Sequence, residues 1–195
     1  MAKNKGRANS AASKGQVRII GGEQRGLRLQ FVDHGGDLRP SSDRLRETLF
    51  NWLQFELPGL RVLDLFAGSG VLGAEALSRG AAQAVLIEKK RDRAADLQRQ
   101  LQPLFGERLV VQTEDALRWL QQPADPYDLV FVDPPYDLGL AEPACADLEA
   151  RGWLSDEAWI YVESRRQGAV PAVPDNWQLH REKLAGEIHA RLFRR

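Results

Sequence analysis

A single cysteine, Cys145, in 195 residues excludes an internal disulfide framework. Long apolar runs are missing too, and no stretch approaches the ~20 residues a membrane span needs. The first fifteen residues, MAKNKGRANSAASKG, lack the apolar core of a secretory signal. Histidine is scarce: His34, His180 and His189 stand apart with no ligand spacing and no nucleophile partner. That leaves no basis for a metal site or a histidine-assisted nucleophile. Cys145 falls within an apolar helical stretch and reads as packing. These absences point to a cytoplasmic protein without membrane or metal, expected to work as a monomer.

What is present is an ordinary globular composition, 43% hydrophobic and 28% charged. Such a length and composition suit one core with a small appendage. The charges balance at 27 of each sign but are unevenly placed. Residues 1–31 carry seven Lys/Arg against one acid, residues 32–180 fifteen against twenty-four, and residues 181–195 five against two. Basic ends supply phosphate contacts, although a solubilising tail would show the same bias.

Residues 1–15 have nothing to bury and read as a disordered basic tail. Residues 16–57 form a first unit. In it, Gln16–Ile20 and Leu27–Phe31 flank the turn-rich Gly21–Gly26 as a β-hairpin. Ser41 or Ser42 then caps a helix running to about Phe55, with Leu45, Leu49, Trp52 and Leu53 on one stripe. Pro58-Gly59 ends it.

Residues 58–195 alternate strand with helix. Strands are expected at Arg61–Leu65, Ala84–Glu88, Leu109–Gln112, Leu129–Asp133 and Trp159–Val162. Helices are expected at Val71–Arg79, Arg91–Leu104, Ala116–Gln121 and Leu140–Ala150. Short apolar runs separated by helices imply a parallel sheet covered on both faces. Leu179–Leu184 and Glu187–Phe193, joined by Ala185-Gly186, read as a closing antiparallel hairpin. The expected fold is α/β and Rossmann-like: a mostly parallel seven-stranded sheet, a C-terminal antiparallel hairpin, and a small N-terminal hairpin and helix extension.

The first chemical motif is Asp64-Leu65-Phe66-Ala67-Gly68-Ser69-Gly70, where the first parallel strand hands over to a helix. Ligands in open α/β sheets bind at strand carboxyl ends. Gly68 and Gly70 permit a tight turn and close approach to a ligand. With Gly73 they also fit the dinucleotide pattern G-x-G-x-x-G, which alone is weak. Asp64 decides against a pyrophosphate, which it would repel, and for the ammonium of the methionyl group of S-adenosylmethionine. Glu88 ends the next strand, twenty residues after Gly68, where a carboxylate accepts hydrogen bonds from both ribose hydroxyls. Asp115 follows the third strand. It is placed to take the adenine amino group, or to cap the helix that begins at Ala116. Phe66, Ala67 and Ala116 complete the cradle.

The second motif is more specific: the apolar strand Leu129–Val132 ends in Asp133-Pro134-Pro135-Tyr136. The prolines fix their own φ angles and hold the preceding residues extended. The loop therefore presents the Asp133 carboxylate and the Pro134 carbonyl as a fixed pair of acceptors. An exocyclic base amine is a poor nucleophile because its lone pair is delocalised into the ring. Two acceptors gripping its hydrogens turn that lone pair toward a methyl donor and stabilise the developing positive charge. Tyr136 offers a stacking platform for a base taken out of its helix.

These residues resemble the amino-methyltransferases, in which this proline motif follows the fourth strand. The resemblance narrows with Arg18–Gly22, Arg25-Gly26, Leu38–Trp52 and the ending Glu182–Gly186. Together they are similar to the bacterial 16S ribosomal RNA guanine-N2 methyltransferase family, over roughly residues 16–193. Ser41 departs from the family's usual threonine but keeps the hydroxyl. The resemblance implies transfer of one methyl from S-adenosylmethionine to the N2 amine of one guanine in 16S rRNA of the small ribosomal subunit. It places Arg39, Arg44, Arg46 and Glu47 at the mouth of the site, and with the basic hairpin residues Arg18, Arg25 and Arg28 these arginines would contact RNA. The alternatives are a DNA adenine-N6 methyltransferase, an NAD-dependent oxidoreductase and a non-catalytic RNA-binding assembly factor. The first leaves little room in 195 residues for a target-recognition domain. The second leaves Asp133–Tyr136 unexplained, and the third leaves an intact cofactor cradle unused.

Overall fold

A computed structural model describes residues 13–33 and 42–195. Seven strands form one sheet: β3 (Arg61–Asp64), β4 (Gln83–Glu88), β5 (Leu109–Thr113), β6 (Tyr127–Val132), β7 (Leu154–Arg165), β8 (Gln178–Ala185) and β9 (Ile188–Arg194). Their order is β5-β4-β3-β6-β7-β9-β8. The first five in this order are parallel, and β9 and β8 close the sheet antiparallel. The chain order reverses between β3 and β6, where an open α/β sheet forms its ligand crevice.

Both faces of the sheet are covered, which explains the unalternating apolar runs. Phe131, Trp159 and Tyr161 point into one core with α1 (Asp43–Trp52), α2 (Val71–Ser78) and α3 (Arg91–Phe105). Val130, Val132 and Ile160 point into the other with α4 (Ala116–Trp119) and α5 (Ala141–Ala150). Cys145 is buried in that second core, as expected of packing.

Ser42 caps α1, its hydroxyl accepting from Leu45 N at 3.2 Å, and the helix ends three residues before Phe55, which is 87% exposed. The expected strand at Trp159–Val162 is far longer. β7 begins at Leu154 and bulges, since Tyr127 pairs with Leu154 but Leu129 with Trp159. The extra residues include the polar Ser155-Asp156-Glu157, which carry no apolar signal.

The N-terminal hairpin is a separate two-stranded sheet, β1 (Ser13–Arg18) and β2 (Arg28–Asp33). β1 thus starts three residues before the expected Gln16; residues 1–12 of the expected tail lie outside the described residues. A buried carboxylate docks the hairpin. Glu75 on α2 accepts from Ile20 N and Gly21 N, each at 2.7 Å, and Ser78 donates to Gly21 O at 2.6 Å. Gly22 has φ +77, and a Cβ there would lie 1.8 Å from the Ser78 carbonyl oxygen. Only glycine lets the loop sit so close.

Candidate active site

The carboxyl ends of the parallel strands open into one cleft of about 540 Å³, within the usual range for small-molecule sites. Gly68, Glu88, Asp115, Asp133, Pro134 and Tyr136 all line it, as do Phe66, Ala67 and Ala116. The two sequence motifs therefore meet in one space.

Asp64, at the end of β3, is 1% exposed and stands behind the lining of the cleft, not in it. Its Oδ2 accepts from Gly73 N at 3.1 Å. Gly70, the residue before α2, has no side chain to cap that helix, so Asp64 supplies the missing acceptor. Burial pushes its carboxyl up to about 7, and the Glu88 charge adds to the rise against the Gly73 and Phe66 amide hydrogens. Gly70 itself serves packing more than ligand approach. It has φ +72, and a Cβ there would lie 2.5 Å from Leu97 Cδ2.

Glu88 ends β4. Its Oε2 accepts from Gly68 N at 3.1 Å and its Oε1 from Lys90 N at 2.7 Å. Arg93 on α3 stands 3.5 Å from Oε2. A carboxylate has about four lone-pair positions, so Glu88 is oriented by the loop without being saturated. Asp115 caps α4, accepting from Leu117 N at 3.2 Å and Arg118 N at 3.3 Å. It also pairs with Lys89 at 2.9 Å, and the Lys89 ammonium holds its carboxyl below the usual range. The capping alternative is realised, while the side chain still borders the cleft.

The donor set fits S-adenosylmethionine. Two carboxylates converge at the ends of neighbouring strands, favouring a cation beside a ribose and opposing a pyrophosphate. Among the described residues no cluster of three His, Cys, Asp or Glu is arranged to hold a metal.

At the other end of the cleft, Pro134 is buried and Asp133 half-buried. The Tyr136 hydroxyl donates to Glu163 at 3.0 Å, and Tyr161 donates to the other oxygen of the same carboxylate at 2.7 Å. Glu163 is fully buried. The sequence reading missed it, although an apolar strand ending in a carboxylate is the signal that found Glu88. Arg165 and Glu187 also border the cleft and carried no signal.

The arginines expected to contact RNA divide. Arg18, Arg25, Arg28 and Arg44 are exposed, as is Glu47. Arg18 and Arg28 face each other across the hairpin, and Arg18 pairs with Asp43 at 3.3 Å. Arg39 and Ser41 lie outside the described residues. Arg46 is corrected: it is 0% exposed. It donates to Arg18 O at 2.9 Å and Asp43 Oδ1 at 2.5 Å, and stands 3.7 Å from Glu75. A guanidinium buried among these partners fastens the hairpin and has no surface left for RNA.

Residues 17–194 match the family described as conserved hypothetical protein 95. The chain is 50% identical over 184 residues to ribosomal RNA small subunit methyltransferase D of Escherichia coli K12, covering 94% of this chain and 92% of that protein. The protein of the same name from Haemophilus influenzae is 42% identical, covering 93% and 95%. The solved structure of Escherichia coli yhhF superposes with a TM-score of 0.84 at 49% identity, covering 93% of this chain and 98% of that one.

Proposed function

This chain belongs to the conserved hypothetical protein 95 family, with the small subunit methyltransferase D proteins among its relatives, and from that premise we propose that it methylates the exocyclic N2 amine of a guanine in 16S rRNA of the small ribosomal subunit. The observation that carries the reading is the shared cleft. Asp133–Tyr136 opens into the same space as Phe66, Gly68 and Glu88.

When bound, S-adenosylmethionine supplies a methyl on a positively charged sulfur. Asp64 receives the ammonium end, Glu88 the ribose hydroxyls and Asp115 the adenine edge. Asp133 and the Pro134 carbonyl accept the hydrogens of the target amine and turn its lone pair toward the donor. Their fixed placement stabilises positive charge as it develops on nitrogen without reorganisation at that moment. Tyr136 stacks on the extruded base. No metal is needed, because the sulfonium is itself the activated leaving group.

The extension over residues 16–57 is the docking unit. Arg18, Arg25, Arg28 and Arg44 on it meet phosphates, and the acidic body is kept from wrapping a duplex. RNA modules of this size read splayed bases by shape and stacking, so the substrate is a loop presented by an assembled cytoplasmic particle, met by one copy of the chain. The test offers labelled S-adenosylmethionine with three substrates: assembled small subunits lacking the modification, protein-free 16S rRNA, and duplex DNA. N2-methylguanosine appearing chiefly on the particle supports the reading; N6-methyladenine in DNA replaces it with the other amine chemistry the loop would serve.

A further inference from the structure

Glu163 is a charged side chain with no exposed surface, and buried carboxylates are expensive unless hydrogen-bonded. Two phenols supply those bonds, Tyr161 at 2.7 Å from one oxygen and Tyr136 at 3.0 Å from the other. Burial and the neighbouring carboxylates raise both phenols above their ordinary range, so each stays protonated and donates. Tyr161 is itself fixed, edge-on to Phe131 with ring centres 6.2 Å apart, and Phe131 is edge-on to Phe50 of α1 at 6.0 Å. The carboxylate is thus held from the core side and reaches out to the tyrosine of the proline loop.

The sheet register adds a second point. Val132 on β6 pairs with Val162 on β7, so Asp133 and Glu163 are the next residues on adjacent parallel strands. The Tyr136 hydroxyl has one proton to give and gives it to Glu163. Asp133 borders the cleft. Glu163 is fully buried, where each donor it keeps offsets part of its desolvation.

We propose that Glu163 is a positioning residue of the methyl-transfer site: by accepting from its hydroxyl it locks the Tyr136 ring at the cleft, beside Asp133 and Pro134. This inference rests on the proposed amine methylation and extends it to a residue outside the proline loop.

The test compares Glu163→Gln, Tyr136→Phe and the double variant in single-turnover methylation of assembled small subunits, with S-adenosylmethionine affinity measured in parallel. A glutamine offers one acceptor oxygen where the carboxylate offers two to the phenols, and its amide nitrogen cannot accept, so the hold on Tyr136 is weakened. Glu163→Gln should slow methyl transfer roughly tenfold to a hundredfold, the scale of a small misplacement at a reacting centre, with cofactor affinity unchanged. Tyr136→Phe should slow it several-fold. The double variant should be no slower than Glu163→Gln alone, since both changes act through the one bond between Tyr136 and Glu163. Additive losses, or a Glu163→Gln rate equal to wild type, would overturn the inference. If Glu163→Gln does not fold, Tyr136→Phe decides alone: a wild-type rate removes the latch. An inactive wild-type protein on the particle would instead overturn the proposed function, a distinguishable result.

Discussion

On the proposed pairing of Asp64 with the ligand's ammonium, cofactor binding should be strongly pH-dependent just below neutrality, because the Asp64 carboxyl must be ionised to make that pair. In the unliganded protein its carboxyl is pushed up to about 7, burial being the main cause. At pH 6 about one molecule in ten then carries the charged form, against about three in four at pH 7.5. If only that form binds well, affinity should fall about eightfold between these values, roughly 1.2 kcal/mol. Calorimetry with S-adenosylhomocysteine, which keeps the ammonium, measures this directly. Repeating the titration in buffers of different ionisation enthalpy should show close to one proton released at pH 6 and about a quarter at pH 7.5. Stability should move the opposite way. The native chain holds a proton on Asp64 that the unfolded chain has lost, over the window from its ordinary value of 3.8 up to about 7. The cofactor-free protein therefore loses stability as pH rises through that window, by up to about 4 kcal/mol from this group alone. In Asp64→Asn both slopes should flatten. Equal affinity at pH 6 and 7.5 with no buffer dependence would refute the pairing of Asp64 with the ammonium.

Replacing Glu88 with Ala should weaken S-adenosylmethionine binding by ~1–3 kcal/mol in a folded protein, the scale of hydrogen bonds to a charged group; isothermal titration reads it. Asp133→Ala should leave that affinity nearly intact and lower the single-turnover rate by ~100-fold or more. Arg46→Met should cost about 3 kcal/mol in urea unfolding. That is the low end for breaking a buried pair, because Glu75 keeps Arg79 at 2.7 Å and two backbone donors. Arg25→Ala with Arg28→Ala should reduce the salt slope of particle binding by about two, one per lost phosphate contact, and an unchanged slope would take both residues out of the interface.

The parts legible in the sequence are those where local chemistry and global placement coincide. A strand in this sheet is buried on both faces, so Leu129–Val132 announces itself as an apolar run, and the prolines that follow fix the loop wherever the strand goes. Asp64, Glu88 and Asp133 were legible because each stands at the end of such a run, and strand ends meet at one crevice in this topology. Glu75 and Arg46 were not. Each sits on a helix where a charge ordinarily means a solvated face, and only the docking of a hairpin 28 residues from Arg46 and more than fifty from Glu75 turns them inward. The exposed start of β7 was illegible for the converse reason, since a bulge releases those residues from the pattern that identifies a strand.

That illegible layer bears on function. Glu75 lies on the same eight-residue helix whose first turn is capped by Asp64. The hairpin carrying Arg18, Arg25 and Arg28 is therefore fastened to the helix that frames the cofactor loop. Phe50, on the helix that Arg46 secures, packs on Phe131 and through it on Tyr161, which holds Glu163 against Tyr136. Two short chains of buried contacts thus run from the N-terminal extension, one to the cradle and one to the proline loop. On the proposed docking of RNA to the extension, rigid connections of this kind would set the distance and angle between the RNA and the reacting amine without any moving part. They also explain why a compact chain spends buried charge at Arg46, Glu75 and Glu163: a well-packed apolar pair would serve stability as well, but it would not fix two loops and a hydroxyl in one orientation.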